Sequence, residues 1–112
     1  MEPLGVQKRV CGEIDRMKEE MVRTLQELVR IPSVVGHEEE AQKFMEKLYR
    51  SLGLKVICLA PDLEKVKNHP AFIDTGMPYE GRQNVIGLLP GESASPSVIL
   101  NGHVDVVSPE PI

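Results

Sequence analysis

Residues 97–107, with the sequence SVILNGHVDVV, decide how this chain is interpreted. The apolar run at residues 98–100 is bounded by SASP before it and SP after residue 107, which predicts an interior strand rather than a helix. Because side chains alternate along an extended backbone, His103 and Asp105 are expected to share one face. Gly102 lets a neighbouring backbone or a ligand approach closely. The stretch therefore predicts a strand that presents an imidazole beside a carboxylate.

This pair of side chains is typical of one kind of metal ligand. A histidine that binds a metal through one ring nitrogen usually has the other nitrogen held by a carboxylate or a carbonyl, which fixes the tautomer and raises the basicity of the ring. A lone His-x-Asp pair on a strand is nevertheless more often structural than metal-binding. The spacing alone leaves both interpretations of His103 and Asp105 open.

The composition limits the class of protein. The chain has 112 residues, enough for one domain or part of one, and its 41% hydrophobic and 27% charged residues are typical of a soluble globular protein. With a formal net charge of -4 and dispersed basic residues, nucleic acid is not an expected partner. No run approaches the roughly 18 apolar residues of a membrane span, so no membrane partner is expected either. Cys11 and Cys58 have no recognisable spacing, which favours reduced thiols and a cytoplasmic location.

Two helices are predicted before any strand. Apolar residues at steps of four or three between residues 6 and 28 predict a long amphipathic helix, which Pro32 ends because the residue before a proline avoids the helical region. Residues 41–52 carry the apolar stripe of a second helix, with Gly53 placed as its C-terminal cap. The three glutamates at residues 38–40 lie at the start of that helix, and we interpret them as a solvated first turn rather than a metal site.

Shorter elements follow. Residues 54–59 predict a first strand, Asp62 is placed to cap a short helix, and residues 84–89 predict a second strand. The Pro- and Gly-rich stretch between them predicts a loop in which His69 is solvent exposed. A polar turn at residues 90–95 would join the second strand to residues 97–107 as an antiparallel hairpin, a longer crossover being the alternative. Helices followed by strands predict an α/β layer arrangement.

Residues 99–107, ILNGHVDVV, resemble the first metal-ligand motif of the aminoacylase, acetylornithine deacetylase and succinyl-diaminopimelate desuccinylase family of dinuclear zinc amidohydrolases and peptidases. The features before the motif follow the family's order: a first helix ending in LVRIPS at residues 28–33, a glutamate-rich second helix, and GRQNVIG at residues 81–87 entering the next strand. The resemblance covers nearly the whole chain. It implies the first part of a zinc-peptidase-like catalytic domain, with two N-terminal helices and a small sheet.

The resemblance assigns roles to two residues. His103 matches the histidine that binds one of two divalent metals, zinc or cobalt, and Asp105 matches the catalytic carboxylate that holds and polarises this histidine. The family's metal-bridging aspartate, its Glu-Glu pair, a further carboxylate and a distal histidine would all lie beyond Ile112. The proline that commonly follows the motif occurs slightly later here, at Pro109, which leaves the ligand assignment intact.

We therefore expect residues 1–112 to be the N-terminal portion of a metallohydrolase catalytic domain, truncated after its first metal-ligand motif. The resemblance implies that the intact enzyme cleaves amide bonds of N-acyl amino acids or small peptides, using a metal-bound water and a glutamate base. The chain alone is expected to be inactive, because a catalytic zinc needs three protein ligands and an open position. The resemblance also implies possible homodimerisation through a domain outside this sequence.

Two other interpretations compete with this one. A small non-catalytic α/β binding or dimerisation module would use the apolar stripe of the first helix as its partner face. A Ser/His/Asp hydrolase is less favoured, because neither Ser97 nor Ser108 has the flanking glycines of a strained nucleophile turn. The remaining ligand types, His37, His69 and Cys58, are not spaced so as to join His103.

Overall fold

The computed structural model describes residues 3–92 and 96–110, so part of the predicted polar turn at residues 90–95 lies outside the described residues. Within these ranges the elements, in chain order, are α1 (Pro3–Val29), α2 (Glu39–Ser51), β1 (Lys55–Leu59), α3 (Leu63–Val66) and β2 (Asn84–Leu88). Three helices with a small two-stranded sheet confirm the predicted α/β class. The chain divides into two units, Met1–Ile31 and Pro32–Ile112, each of which is described by itself.

The described part of the first unit is almost entirely α1. The helix carries the predicted apolar stripe, and six side chains of that stripe are exposed: Val6, Val10, Ile14, Met17, Met21 and Leu25. An amphipathic helix gains most of its stability by packing its apolar face against another element. The described part of this unit contains no second element, so the stripe has no packing partner inside its own unit. No helix among the described residues is both long and apolar enough to cross a membrane.

The C-terminus of α2 confirms the cap predicted at Gly53. Gly53 has a φ of 76°, the left-handed conformation that costs glycine little and strains other residues. Its N–H donates to the Arg50 carbonyl oxygen at 3.0 Å, and the Leu54 N–H donates to the Tyr49 carbonyl oxygen at 3.0 Å. These two bonds form a Schellman motif, which satisfies carbonyl groups that the end of a helix leaves unpaired. The chain is thereby turned directly into β1.

The short helix α3 begins at the predicted place but is not capped in the predicted way. Asp62 occupies the N-cap position, yet its side chain makes no capping hydrogen bond to the backbone. Its carboxylate instead lies 3.0 Å from Lys65 Nζ, in an exposed ion pair. Such a pair stabilises little, because solvent screens it.

The sheet pairs β1 with β2 in antiparallel orientation, with Ile57 opposite Ile86. The predicted hairpin between the second strand and residues 97–107 is therefore wrong. The sheet packs against α2, and Gly87 permits the close approach, because a Cβ atom there would lie 2.8 Å from Leu54 Cδ1 and 2.9 Å from Tyr49 Cδ2. Packing of both strands on one helix selects this pairing, which the length of a loop could not reveal.

Residues 97–107 do not form the predicted interior strand. No strand is assigned over residues 96–105, and Val106 makes only an isolated parallel bridge with Val34. The apolar side chains at residues 98–100 are 83–93% exposed. An apolar β-branched run becomes a buried strand only where neighbouring strands pair with it and other elements cover its faces. Among the described residues, no strand pairs with residues 98–100 and no element covers their side chains.

The buried residues of the second unit lie around the start of α2. Within the part of the chain that the structure describes, Ala41 is the buried hydrophobic residue, and Ser33 and Glu38 are the buried polar residues. Buried polar groups are costly unless they are hydrogen-bonded, so these two side chains need partners. Ser33 is bonded to the Val104 carbonyl oxygen and Glu38 to Arg82.

Candidate functional site

The structure places the two predicted site residues side by side. His103 Nδ1 lies 3.2 Å from Asp105 Oδ1 and 3.0 Å from the carbonyl oxygen of Asp105. A ring protonated at Nδ1 would donate a hydrogen to these oxygens and keep Nε2 as its free lone-pair nitrogen. The His103 side chain is 80% exposed. The adjacency expected from the His-x-Asp spacing is therefore present, although the backbone that carries it is not a regular strand.

The chemistry of this pair fits one ligand of a metal centre. A neutral imidazole with one nitrogen held by a carboxylate is the usual arrangement of a histidine that binds zinc through its other nitrogen. Across residues 3–92 and 96–110, however, no three His, Cys, Asp or Glu side chains converge so that they could hold an ion. These residues fit a single protein ligand rather than a complete site.

The other potential ligands lie in different surroundings. His69 is exposed, as predicted, and its Nδ1 accepts a hydrogen bond from the Ala71 N–H at 3.1 Å. His37 is exposed in the turn before α2. In β1, desolvation raises the pKa of the Cys58 thiol, and the neighbouring Glu46 carboxylate raises it further. Because the thiolate is the reactive and metal-binding form, this environment does not favour Cys58 as a nucleophile or a ligand.

Ser33 anchors the segment that carries the histidine and the aspartate. Its buried hydroxyl donates to the Val104 carbonyl oxygen at 2.6 Å, and its carbonyl oxygen accepts the Val106 N–H at 2.9 Å. The Val35 N–H in turn donates to the Val106 carbonyl oxygen at 3.3 Å. The residues on both sides of Asp105 are thus tied to residues 33–35.

A buried ion pair joins the start of α2 to the loop before β2. Arg82 Nε donates to Glu38 Oε2 at 2.9 Å, and Arg82 Nη2 donates to Glu38 Oε1 at 2.9 Å. The Gly36 N–H also donates to Glu38 Oε1, at 2.8 Å. The two side chains are 9% and 17% exposed, for Glu38 and Arg82 respectively. A two-point pair of this kind is among the stronger charge-assisted hydrogen bonds.

The interpretation of the acidic run as a solvated first turn is therefore wrong for Glu38. It holds for Glu39 and Glu40, which are exposed and lie close to Lys43 Nζ. The partner of Glu38 is 44 residues further along the chain. Local spacing cannot reveal such a contact, because it depends on how the sheet brings the loop before β2 to the start of α2.

Glu38 and Arg82 each stabilise the charged form of the other. Burial would raise the pKa of Glu38, but the hydrogen bonds from Arg82 and Gly36 outweigh it, and the pKa lies below the ordinary value of 4.5. The pKa of Arg82 is raised, mainly by its hydrogen bonds to Glu38 and to a smaller extent by Tyr79 and Asp105. The Tyr79 ring also lies against the guanidinium, with its centroid 4.9 Å from Arg82 Cζ. The field of Asp105 thus reaches the buried ion pair.

Sequence reasoning missed Ser33, Glu38 and Arg82 as parts of the site. All three occur in segments that accompany the ILNGHVDVV motif in the resemblance: IPS at residues 31–33, the acidic run, and GRQN at residues 81–84. The joint occurrence of these segments with the motif was the sequence signal that could have indicated these three residues. The structure adds that Ser33 contacts Val104 and Val106, and that Glu38 and Arg82 bind each other.

Two curated proteins are similar to this chain. A protein of Pyrococcus abyssi named "Putative LysW-lysine/LysW-ornithine hydrolase" is 37% identical over 90 residues, which are 80% of this chain and 20% of that relative. A protein of Aspergillus terreus named "Probable carboxypeptidase" is 32% identical over 83 residues, which are 74% of this chain and 17% of that relative. The chain spans about a fifth of the length of the curated relatives it matches. No family model and no solved structure matches it.

The names of these relatives agree on a broad class. One is named as a hydrolase and the other as a carboxypeptidase, so the similarity points to a hydrolase or peptidase family. This class is broader than the one that the resemblance implies.

Proposed function

We propose that residues 1–112 are the N-terminal portion of the catalytic domain of a zinc-dependent hydrolase that cleaves amide bonds of N-acyl amino acids or small peptides. His103 is its ligand to one of two metal ions, and Asp105 holds and polarises His103. The observation that carries the proposal is the distance of 3.2 Å between His103 Nδ1 and Asp105 Oδ1, in a side chain that is largely exposed. The hydrolase and carboxypeptidase names of the two relatives support the class of reaction.

The exposed apolar side chains support a larger domain. Val98, Ile99, Leu100 and Val107 are 83–93% exposed, although their residue types are those of a buried strand. Monomeric proteins rarely leave contiguous apolar surface uncovered. We infer that neighbouring strands of a longer protein cover these side chains. The share of the relatives that the chain spans, about a fifth, supports the same inference.

The described residues have defined tasks in this proposal. A bound zinc ion would polarise the amide carbonyl and lower the pKa of a water molecule. His103 Nε2 would hold the ion, while the Asp105 carboxylate accepts a hydrogen bond from the Nδ1–H and so keeps the ring in the metal-binding tautomer. Ser33 would keep the segment at residues 104–106 in place. The other ligands and the general base would come from residues outside this sequence.

An activity assay of the purified chain tests the fragment interpretation. With zinc or cobalt and N-acyl amino acids as substrates, we expect no turnover, because one histidine cannot complete a catalytic site. Turnover that the substitution His103→Ala abolishes would show that the chain is a complete enzyme. That result would overturn the fragment interpretation.

The role of His103 is tested in the longer protein that we propose. His103→Ala should remove most of the activity and lower the bound zinc, whereas His69→Ala, a change of another exposed histidine, should leave both unchanged. The readouts are the hydrolysis rate and the metal content of the purified protein. Full activity in His103→Ala would contradict the ligand assignment.

The apolar stripe of α1 favours a second candidate, a binding or dimerisation module. Light scattering over a range of concentrations tests it, because a partner-binding stripe would produce concentration-dependent association of the chain. Met17→Lys, which places a charge in the stripe, should weaken this association, and the control Lys18→Glu, outside the stripe, should not. A chain that stays monomeric at every concentration would rule out self-association through α1.

A further inference from the structure

We propose that α1 pairs in parallel orientation with α1 of a second copy of this chain, as a short two-stranded coiled coil. The proposal names the partner and the orientation that the binding or dimerisation candidate leaves open. It does not rest on hydrolase activity, and it uses a surface of this chain rather than the domain outside the sequence through which the resemblance implies dimerisation.

The apolar stripe of α1 has the repeat of a helix that packs along another helix. Between residues 10 and 28 the core positions follow steps of four, three, four, three and four residues. In heptad notation these are alternating d and a positions, and a strict seven-residue repeat keeps such a seam facing a partner helix as the two helices supercoil. The seam consists of Val10, Ile14, Met17, Met21, Thr24 and Leu28.

This seam is accessible along a long helix. The side chains of Val10, Ile14, Met17 and Met21 are 42–52% exposed. The 27 residues of α1 extend about 40 Å, at 1.5 Å per residue. Because the described part of the first unit contains no other element, the partner that covers the seam lies outside this unit. A second α1 offers a seam of the same length and spacing.

The two edges of the seam differ in charge. One edge, heptad position g, carries the three glutamates at residues 13, 20 and 27. The other edge, heptad position e, carries Cys11, Lys18 and Leu25, so it has a positive charge and no acidic residue. All six side chains are exposed. Charged residues at these two positions set the orientation of a coiled coil.

This difference favours the parallel orientation. In a parallel pair the g edge of each helix faces the e edge of the other, which places Glu13 opposite Lys18 of the second copy. In an antiparallel pair the two glutamate rows would face each other and repel. Exposed charge pairs add little affinity, so the apolar seam supplies most of the association and the charges select the orientation.

Disulfide formation in the 112-residue chain tests the orientation directly. Cys11→Ser and Cys58→Ser remove the two native thiols, and Val10→Cys then places one thiol in the seam. In a parallel pair the two copies of position 10 lie opposite each other, within reach of a disulfide. A glutathione redox buffer should therefore convert most of this variant to a covalent dimer. In an antiparallel pair with superposed seams the two thiols would lie more than about 15 Å apart along the axis.

A mixed sample detects the antiparallel alternative. In the same thiol-free background, Val10→Cys is mixed with Met21→Cys, whose thiol is also in the seam. A parallel pair places positions 10 and 21 about 16 Å apart along the axis, so each variant should form a disulfide only with itself. A mixed disulfide that exceeds the two self-disulfides would show antiparallel pairing and overturn the proposal.

A charge reversal tests the cause of the orientation. Added to the Val10→Cys chain, Glu13→Lys places a positive charge opposite Lys18 in the parallel pair, and opposite the glutamate row in the antiparallel pair. The disulfide-linked fraction should therefore fall. The matched control Glu19→Lys makes the same change of charge on the face away from the seam and should leave that fraction unchanged. Equal fractions in the two variants would overturn the selection by charge.

Two further measurements complete the test. Glu13→Lys also removes the hydrogen bond that Arg16 donates to Glu13 within α1, so circular dichroism checks that the helix content is retained. Sedimentation of the unsubstituted chain should show a dimer that dissociates on dilution. A monomer at every concentration, with Val10→Cys unlinked, would overturn the proposal and assign the seam to an occupant within one longer polypeptide. A covalent dimer whose longer form shows no metal-dependent hydrolysis would refute the proposed function and leave the pairing of α1 standing.

Discussion

Residues 98–100 and residues 104–106 belong to the same short stretch of sequence, but the structure holds them in opposite ways. The side chains of Val98, Ile99 and Leu100 are almost fully exposed. The peptide groups at residues 104–106 are bound by the Ser33 hydroxyl and by the backbone of residues 33–35. The comparison shows that hydrogen bonds, rather than burial of apolar surface, fix the candidate site in this chain.

The same contrast separates the two arginine–glutamate pairs of the second unit. On α2, Arg50 is exposed and Glu46 is partly exposed, whereas Glu38 is buried and its distant partner Arg82 is largely buried. An exposed pair stabilises a protein little, and loss of one member of a buried pair is costly. Ser33 and the Val35 N–H hold the half of the motif that carries Asp105, and Glu38 accepts a hydrogen bond from the Gly36 N–H directly after them.

The largest effect is expected from removing the buried carboxylate. Glu38→Gln leaves the Arg82 charge buried without its partner, which should lower the free energy of unfolding of the second unit by about 3 kcal/mol. The control Glu46→Gln should change the free energy of unfolding much less, because solvent screens the Glu46–Arg50 pair. Urea unfolding of the three chains measures the difference. Equal losses in the two variants would break the contrast between the buried pair and the exposed pair.

Protonation of Glu38 in acid should remove the stability that its carboxylate gives the second unit, without any mutation. The pKa of Glu38 is lowered by folding, so its contribution is complete above about pH 4.5, the ordinary value, and is lost as the pH falls through the lower folded-state pKa. The difference in unfolding free energy between the unsubstituted chain and Glu38→Gln should therefore narrow as the pH falls below that value. A difference that is independent of pH would show that the Glu38 charge does not stabilise the unit.

A smaller effect is expected at Ser33. Ser33→Ala removes the donor to the Val104 carbonyl oxygen and should cost about 1 kcal/mol. Hydrogen exchange of the Val106 N–H should speed up in parallel, because this amide donates to the Ser33 carbonyl oxygen. Ser51→Ala is the matched control, since the Ser51 hydroxyl donates to the Leu48 carbonyl oxygen at 2.7 Å on an exposed helix end. Equal exchange of the Val106 amide in both variants would show that Ser33 does not anchor the segment.

The smallest effect is expected in the exposed half of the motif. Ile99→Thr should change the unfolding free energy of this chain by less than about 0.5 kcal/mol, because the side chain is 90% exposed. In the longer protein that we propose, covered by neighbouring strands, the same change should cost more than about 1 kcal/mol. Thermal unfolding of both proteins provides the comparison. Equal, negligible costs would contradict the inference that a larger domain buries this run.

The elements predicted best are those whose signals are local. The apolar period of α1, the stripe and glycine cap of α2, and the two strands were all predicted from neighbouring residues, and each is present within a few residues of its expected bounds. The pairing of the strands and the environment of residues 98–100 were predicted wrongly. These depend on which elements lie alongside, and no local pattern carries that information.

The candidate site divides in the same way. The His-x-Asp spacing predicted that His103 and Asp105 would be adjacent, since two residues so close in the chain can approach in most backbone conformations. The partners that hold them could not be predicted, because Ser33 lies 71 residues from Val104, and Glu38 lies 44 residues from Arg82.

The helices, β1, β2 and the proximity of His103 and Asp105 follow from local sequence, because hydrophobic period, capping residues and close spacing act over a few residues. The burial of Glu38 against Arg82 and the hold of Ser33 on the segment around Asp105 depend on the folded chain. Those contacts form when the loop before β2 and residues 104–106 reach the start of α2. Their free energy comes from hydrogen bonds between groups that the chain brings together only on folding.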